Sequence, residues 1–401
     1  MNATPGKRGW RERLPALVYA TYLLFLAGFY FVPNAVDLYK YYIAGVFFPG
    51  LLLLPRLWPL AARSRLLQCA AAYLLYMLLS SLWSEQVDAA ALWRDTRYVA
   101  YILLFVLLSA LFADGDRRLR ALGLPVVTAV AGCAALAAIV LFEPALRWPE
   151  PGDARLSGIG ITENPNPSAF VYGFFGVCAL SLARRGPGWR PAWAAAFGVL
   201  LLYVLLTRSD GGLLALATAC ATLLLVDGRL RGAHLAAGGA LLLCAAAYLA
   251  WALGLLHAGM DLGFASRLPI WRHVLDSWQA APLFGNGLQK VLVVGAGGQE
   301  STVNYAHSLF LSTLRDGGLL GLGLLLPVYA LALRRGLQRA LSGNDALPLA
   351  LFTFGMVCVL ADVDQAVTRP RELWIILWLP LGLLVAADAA ARAQSPKKIR
   401  R

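Results

Sequence analysis

The chain has 401 residues, 59% of them hydrophobic and only 14% charged, and carries a formal net charge of +13. Apolar runs far longer than a soluble core helix needs recur along its whole length, which excludes a water-soluble globular domain and predicts an all-α polytopic membrane protein. All six cysteines fall inside those runs, so neither a disulfide framework nor a metal cluster is implied.

A bilayer core of roughly 30 Å takes about 20 helical residues. Runs near that length predict twelve spans, at 16–32, 41–54, 66–83, 97–113, 121–142, 166–183, 191–207, 211–226, 233–256, 318–333, 347–361 and 373–388. The second is short and carries Pro49-Gly50, which predicts a kink or tilt. The first follows Lys7, Arg8, Arg11 and Arg13 and lacks a small-residue cleavage site, so it reads as a retained anchor. The whole chain, 1–401, reads as one transmembrane domain, with residues 257–306 as a helical insert between spans nine and ten.

With a cytoplasmic N-terminus, twelve spans also return the "KKIRR" tail to the cytoplasm. Every cytoplasmic connection is then basic: Arg56, Arg63 and Arg65; Arg117, Arg118 and Arg120; Arg184, Arg185 and Arg190; Arg229 and Arg231; Arg334, Arg335 and Arg339. The positive charge is thus a topology signal and an affinity for anionic inner-leaflet lipid, not a nucleic-acid footprint. Twelve basic residues remain on or near the opposite face: Lys40, Arg94, Arg97, Arg147, Arg155, Arg208, Arg267, Arg272, Lys290, Arg315, Arg369 and Arg371. An arginine-rich set there asks for an anionic partner. Either acidic residues on the same face pair with it, or a phosphate-bearing ligand is gripped by the planar guanidinium forks.

Several outer-face stretches hold these residues. "RLSGIGITENPNPSAF", from Arg155 to Phe170, is too broken by glycine and proline for a regular helix, and Pro165 and Pro167 suit a turn into span six with Asn166 or Ser168 as cap. "TRSDGG", Thr207 to Gly212, forces Arg208 and Asp210 to the membrane boundary, as a local ion pair or beside a ligand that the glycines let approach. In "SRLPIWRHVLDSWQAAPLFGNGLQK" apolar residues recur at helical spacing from Ser266, predicting an interfacial amphipathic helix with Pro269 in its first turn and tryptophans as anchors. Its "GNG" is no nucleotide fingerprint, and neither a phosphate loop nor a zinc-binding His-Glu-x-x-His occurs. "TRPRELW" sets Arg369 and Arg371 near Asp362 and Asp364, which predicts a salt-bridged cluster or, alternatively, carboxylates holding a divalent metal on a diphosphate.

Of the four histidines, His307 stands out because it opens "HSLFLSTLRDGG", a helical stretch ending in a glycine pair, with Arg315 about 12 Å further along the axis. A neutral imidazole can take a proton from a hydroxyl while arginines stabilise departing phosphate charge, a combination suited to transfer from a lipid diphosphate.

Here the sequence resembles the O-antigen ligases, within the broader superfamily of O-antigen ligases and polymerases. The ligase pattern of histidine, small polar residue, nine residues, glycine, two residues, glycine is met by His307, Ser308, Gly318 and Gly321. "RLSGIGITENPNPSAF", the Arg267 to Trp271 spacing in "SRLPIW", the following "PLFGNG" and the short outer turn add to the likeness. Members often read serine then arginine in that turn, where this chain has Arg208 then Ser209, and often carry glutamate where Asp316 stands.

The resemblance implies a fold similar to lipid-dependent (C-type) membrane glycosyltransferases. It implies transfer of O-antigen polysaccharide from undecaprenyl diphosphate to a sugar hydroxyl of lipid A-core, with inversion, at the periplasmic face of the bacterial inner membrane. No metal or other cofactor, and no nucleic acid, would take part. By carry-over His307 is the general base, and Arg208 and Arg267 hold the diphosphate. Arg155, Arg272, Arg315, Arg369 and Arg371, with Asn164, Asn166 and Trp271, are candidate contacts to diphosphate or glycan. An O-antigen polymerase could use similar arginines. A transporter of an anionic lipid or solute fits less well, because no internal repeat is evident and the unusual charges gather at one face rather than at mid-depth.

Overall fold

A computed structural model of the chain describes residues 10–85, 88–114, 119–147, 155–185, 188–226, 267–288, 292–296, 299–303, 306–343, 345–363 and 365–394. The expected ninth span at 233–256 and parts of the 257–306 insert lie outside the described residues. Each of the other expected spans has a helix at its place: α1 (Trp10–Gly28), α2 (Ala35–Tyr41), α3 (Phe48–Leu51), α4 (Leu54–Arg63), α5 (Arg65–Ser80), α6 (Ala89–Asp114), α7 (Leu124–Arg147), α8 (Pro165–Arg185), α9 (Arg190–Leu206) and α10 (Asp210–Val226) in the first part. The insert helix α11 (Leu268–Gln279) and an antiparallel pair, β1 (Leu292–Ala296) and β2 (Gln299–Val303), lead to α12 (Leu309–Leu341), α13 (Leu347–Ala361) and α14 (Leu379–Gln394). The insert is therefore not purely helical.

Six of the described helices are long and apolar enough to cross a membrane, and a bent pair would make a seventh. Four more are shorter and apolar, including α9 and α10. The bent pair is the expected second span: residues 35–51 and 54–63 meet at 81°. The break falls at Leu52–Leu53 rather than at Pro49-Gly50: Pro49 follows a π-helical turn, Tyr42–Phe47, that runs straight into α3, and Pro55 lies in the first turn of α4, just past the break. Beyond the bend α4 is amphipathic, burying Leu57 and Leu60 and exposing Trp58.

The core is aromatic. Trp374, in a π-helical turn at Trp374–Trp378 that leads into α14, meets Phe25, Tyr42 and Phe105 edge-on or tilted at 4.8–6.0 Å between ring centroids. Among the described residues, the span that Trp374 opens is the most enclosed of the six long apolar helices, since helices surround it, notably α6 and α13. A buried carboxylate, Asp388, joins several elements of the bundle. Asp388 accepts from Ser64 Oγ at 3.0 Å, Leu66 N at 3.2 Å and Arg335 Nε at 2.7 Å, so α14, the start of α5 and the far end of α12 share one anchor. Charge-assisted bonds in so dry a place hold their geometry firmly.

Candidate active site

His307 stands immediately before the helix it was expected to open. Ser308 is the N-cap of α12 with extended backbone, and its carbonyl accepts from Ser312 N at 2.9 Å. That leaves His307 to make the sharp approach, and it does so with φ +50°. Behind it, the carbonyl of buried Ala306 accepts the indole N–H of Trp271 at 3.0 Å. Trp271 thus braces the histidine's backbone from α11, an arrangement that its reading as an interfacial anchor missed.

Arg267 occupies the N-cap position of α11, and its Nη2 donates to Asp362 Oδ1 at 2.9 Å. The same oxygen lies 3.4 Å from His307 Nδ1. Asp362 is the C-cap residue of α13, so three helix ends, those of α11, α12 and α13, meet at one carboxylate. Its side chain is only 8% exposed, against 14% for Arg267 and 34% for the imidazole. The carboxylate was weighed from sequence as a partner of Arg369 and Arg371 or as a metal ligand with Asp364; its closest ionic contacts are Arg267 and His307, and Asp364 lies outside the described residues.

A second group of residues faces the first. Arg155 donates from Nε to the carbonyl of Thr207 at 2.9 Å and from Nη2 to Asn166 Oδ1, clamping the end of α9 to the start of α8. Burial pushes the Arg155 pKa down, Asp210 and Asp362 pull it back up, and Arg208 opposes them. Those influences bring Arg155, Arg208, Asp210 and Asp362 into one electrostatic neighbourhood. Arg208 itself follows the C-cap Thr207 in left-handed backbone, φ +50°, where helix ends ordinarily place glycine. Ser209 then begins α10, its carbonyl accepting from Leu213 N. Gly212 is explained by packing, since a Cβ there would come within 2.7 Å of the Ala169 side chain.

A cavity of about 500 Å³ opens beside these groups. His307 and Asp362 line it together with Thr162, Glu163, Asn164 and Asn166 from the stretch before α8, and Arg369, Arg371 and Glu372 from the loop after α13. Asn164, not Asn166 or Ser168, caps α8: its Oδ1 accepts from Asn166 N at 3.0 Å and its carbonyl from Ser168 N at 3.1 Å. Pro165 takes the first helical position, where no N–H is needed, and that puts the cap two residues upstream of Asn166. Arg371 grips Glu372 through Nε at 2.7 Å. Glu163 and Glu372 were not anticipated, because nothing in their local sequence separates them from other loop acids.

Two candidates lie elsewhere. Arg315, 4% exposed, grips Asp316 through Nε and Nη2 at 2.6 and 3.0 Å, inside α12 and away from the cavity lining. Arg272 is exposed on α11.

The glycine pair explains how α12 aims His307. At Gly318 the backbone leaves helical geometry with φ +62°, and the gap is filled by "PLFGNG". Leu319 N and Leu320 N donate to the carbonyls of Pro282 and Leu283, while Asn286 N and Gly287 N donate to those of Arg315 and Asp316. The hydrogen bonds lost at the kink are thus replaced from another segment, as buried backbone requires. The fit leaves no room for side chains: a Cβ on Gly318 would sit 2.3 Å from Leu283 O, and one on Gly285 2.4 Å from Asp316 C. Gly321 faces the Tyr76 ring and Thr313 at 3.3–3.4 Å. The "GNG" that is no nucleotide fingerprint is a splice in a broken helix.

Residues 195–326, which include Arg208, Arg267, His307 and Gly321, match the family model described as O-Antigen ligase. A protein of Pseudomonas aeruginosa named O-antigen ligase is 28% identical over 379 residues, covering 91% of this chain and 89% of that protein. The local match and the nearly full-length relative agree with the pattern at His307, Ser308, Gly318 and Gly321, and this chain is similar to the O-antigen ligases.

Proposed function

We propose that this chain is an O-antigen ligase: an inner-membrane glycosyltransferase that moves O-antigen polysaccharide from undecaprenyl diphosphate to a sugar hydroxyl of lipid A-core on the periplasmic side. The observation that carries the reading is the pairing of His307 and Asp362 at the wall of a polar cavity, with His307 Nδ1 at 3.4 Å and Arg267 Nη2 at 2.9 Å from one carboxylate oxygen. Facing Asp362, Nδ1 carries the imidazole proton, which leaves Nε2 as the acceptor of a proton. Nε2 takes the hydroxyl proton of the acceptor sugar, the oxygen bonds to the anomeric carbon of the donor, and the carbon–oxygen bond to diphosphate breaks from the opposite side, inverting that carbon. The departing diphosphate keeps the electron pair, and the guanidiniums of Arg208 and Arg267 carry its charge.

No metal or nucleotide is required by this scheme, since arginines supply the cationic partner and the diphosphate linkage supplies the leaving group. Both substrates are amphiphiles, so a cavity open to the outer leaflet lets lipid tails stay in the bilayer while headgroups meet.

The test is turnover by the purified full-length chain with lipid-linked glycan and lipid A-core. Ligation to core is expected, lost on His307→Ala with the melting temperature retained and insensitive to chelator. Elongated lipid-linked chains without modified core would make the protein a polymerase, and full activity of the His307→Ala protein would remove the proposed base.

A further inference from the structure

The cavity beside His307 is lined by polar side chains that the protein satisfies on one side only. Asn164 Oδ1 accepts from Asn166 N at 3.0 Å, and Asn166 Oδ1 accepts from Arg155 Nη2. A backbone N–H and a guanidinium can only donate, so both amides are fixed with their oxygens toward the protein. Each is left with an NH2 group that has no acceptor among the described residues, and both residues line the cavity. Glu163, exposed in the same lining, supplies the opposite function: its carboxylate has neither an ion pair nor a hydrogen bond among the described residues. Charge in the lining is balanced. Arg371 is bonded to Glu372, and Asp362 to Arg267, which leaves Glu163 and Arg369 as one charge of each sign. Two amide donors and a carboxylate acceptor without net charge suit a neutral polyhydroxylated ring better than a phosphate. The volume of about 500 Å³ is that of a small-molecule site, and Pro167 and Phe170 add apolar surface for the C–H edges of such a ring.

We propose that Glu163, Asn164 and Asn166 form a hydroxyl-reading subsite, which holds a neutral ring of the acceptor saccharide beside the imidazole. The proposal rests on the ligase reading for the acceptor's identity. The Glu163 carboxylate accepts from a ring hydroxyl, and the two amide NH2 groups donate to ring oxygens. The ring belongs to the acceptor and not the donor because His307, which takes the acceptor's proton, lines this cavity, whereas Arg208 and Arg267, assigned to the donor's diphosphate, do not.

Substitutions exist that keep the structural bonds and delete only the spare donors. Aspartate and serine cap a helix as asparagine does, so Asn164→Asp and Asn164→Ser retain an acceptor for Asn166 N, and Asn166→Asp retains the bond from Arg155. The experiment uses the full chain in nanodiscs with lipid-linked glycan and lipid A-core. Each variant is expected to raise the acceptor KM about tenfold, with donor KM and melting temperature unmoved. Glu163→Ala should do the same, and Glu163→Gln, which keeps an acceptor oxygen, should recover most of the loss. An unmoved acceptor KM, a rise in donor KM instead, or a loss in Asn164→Asp that Asn164→Ser does not share would each overturn the subsite, the last because it would report added charge. Binding of lipid A-core to the same proteins with no donor present separates the two readings. Acceptor binding weakened about tenfold by Asn164→Ser, in a protein whose wild type ligates nothing, would keep the subsite and discard the ligase. Normal ligation with acceptor binding untouched by all of these variants would do the reverse.

Discussion

Two residues of this chain carry a backbone conformation that only glycine adopts without cost. Among the described residues, Arg208 and His307 are the non-glycine positions with positive φ, both at +50°. Each pays on the order of 1 kcal/mol for a side chain that a strain-free glycine would not supply. Both sit at helix ends, and His307 shares the Asp362 carboxylate with Arg267. Asp362→Asn should therefore cost more than either contact alone. It removes the charge that faces the imidazole and weakens the hold on Arg267, and kcat is expected to fall a hundredfold or more while the protein still folds. A wild-type kcat would show that His307 is oriented by something else. Arg267→Lys tests the fork: one ammonium cannot serve Asp362 and a diphosphate oxygen in the same plane, so kcat/KM should drop at least tenfold in a steady-state assay.

At the scale of elements, the kinked α12 and the "PLFGNG" segment are one unit. The kink needs Gly318 because φ is +62° and Leu283 O would lie 2.3 Å from any Cβ. Gly318→Ala is expected to lower the melting temperature in detergent by several degrees and to cut activity, since the strain of about 1–3 kcal/mol comes with a clash that pushes the splice apart and re-aims His307. Gly323, in the same helix with nothing within 4 Å of its would-be Cβ, is the control. Gly323→Ala should leave activity unchanged and stabilise slightly, by up to about 1 kcal/mol. Equal effects of the two substitutions would deny the splice its role. The element pattern was legible in advance where hydropathy alone decides it, as in α6 or α8. The hairpin β1–β2 and the displaced cap of α8 were not, because each depends on how short loop residues pair rather than on periodicity.

The whole molecule is held at its two ends by different chemistry. The end expected to face the cytoplasm is closed by Asp388, 2% exposed on its side chain, with Arg335, Arg392, Ser64 and the backbone of Leu66 around it. Asp388→Ala should destabilise the fold by roughly 3 kcal/mol, because Arg335 keeps its charge and loses its carboxylate partner, Gln338 alone remaining. Thermal unfolding in detergent measures that loss. Ligation by whatever fraction stays folded should be normal, as the site lies at the other end of the bundle.

What the residues determine unaided is the solvent, since apolar length selects the bilayer, and the distribution of arginines between faces sets the expectation of which loops stay in the cytoplasm. The short pattern from His307 to Gly321 also suffices to reveal the ligase likeness. Which outer-face arginines belong together was decided only by tertiary structure. Arg267 and His307 come from separate connections and meet at Asp362, whose charge also reaches Arg155, while Arg315, only eight residues from His307, turns inward to Asp316. The physical reason is that charge neutralisation acts through space. A guanidinium settles on whichever carboxylate or carbonyl the packed helix ends bring within about 3 Å, and that partner has no fixed separation along the chain.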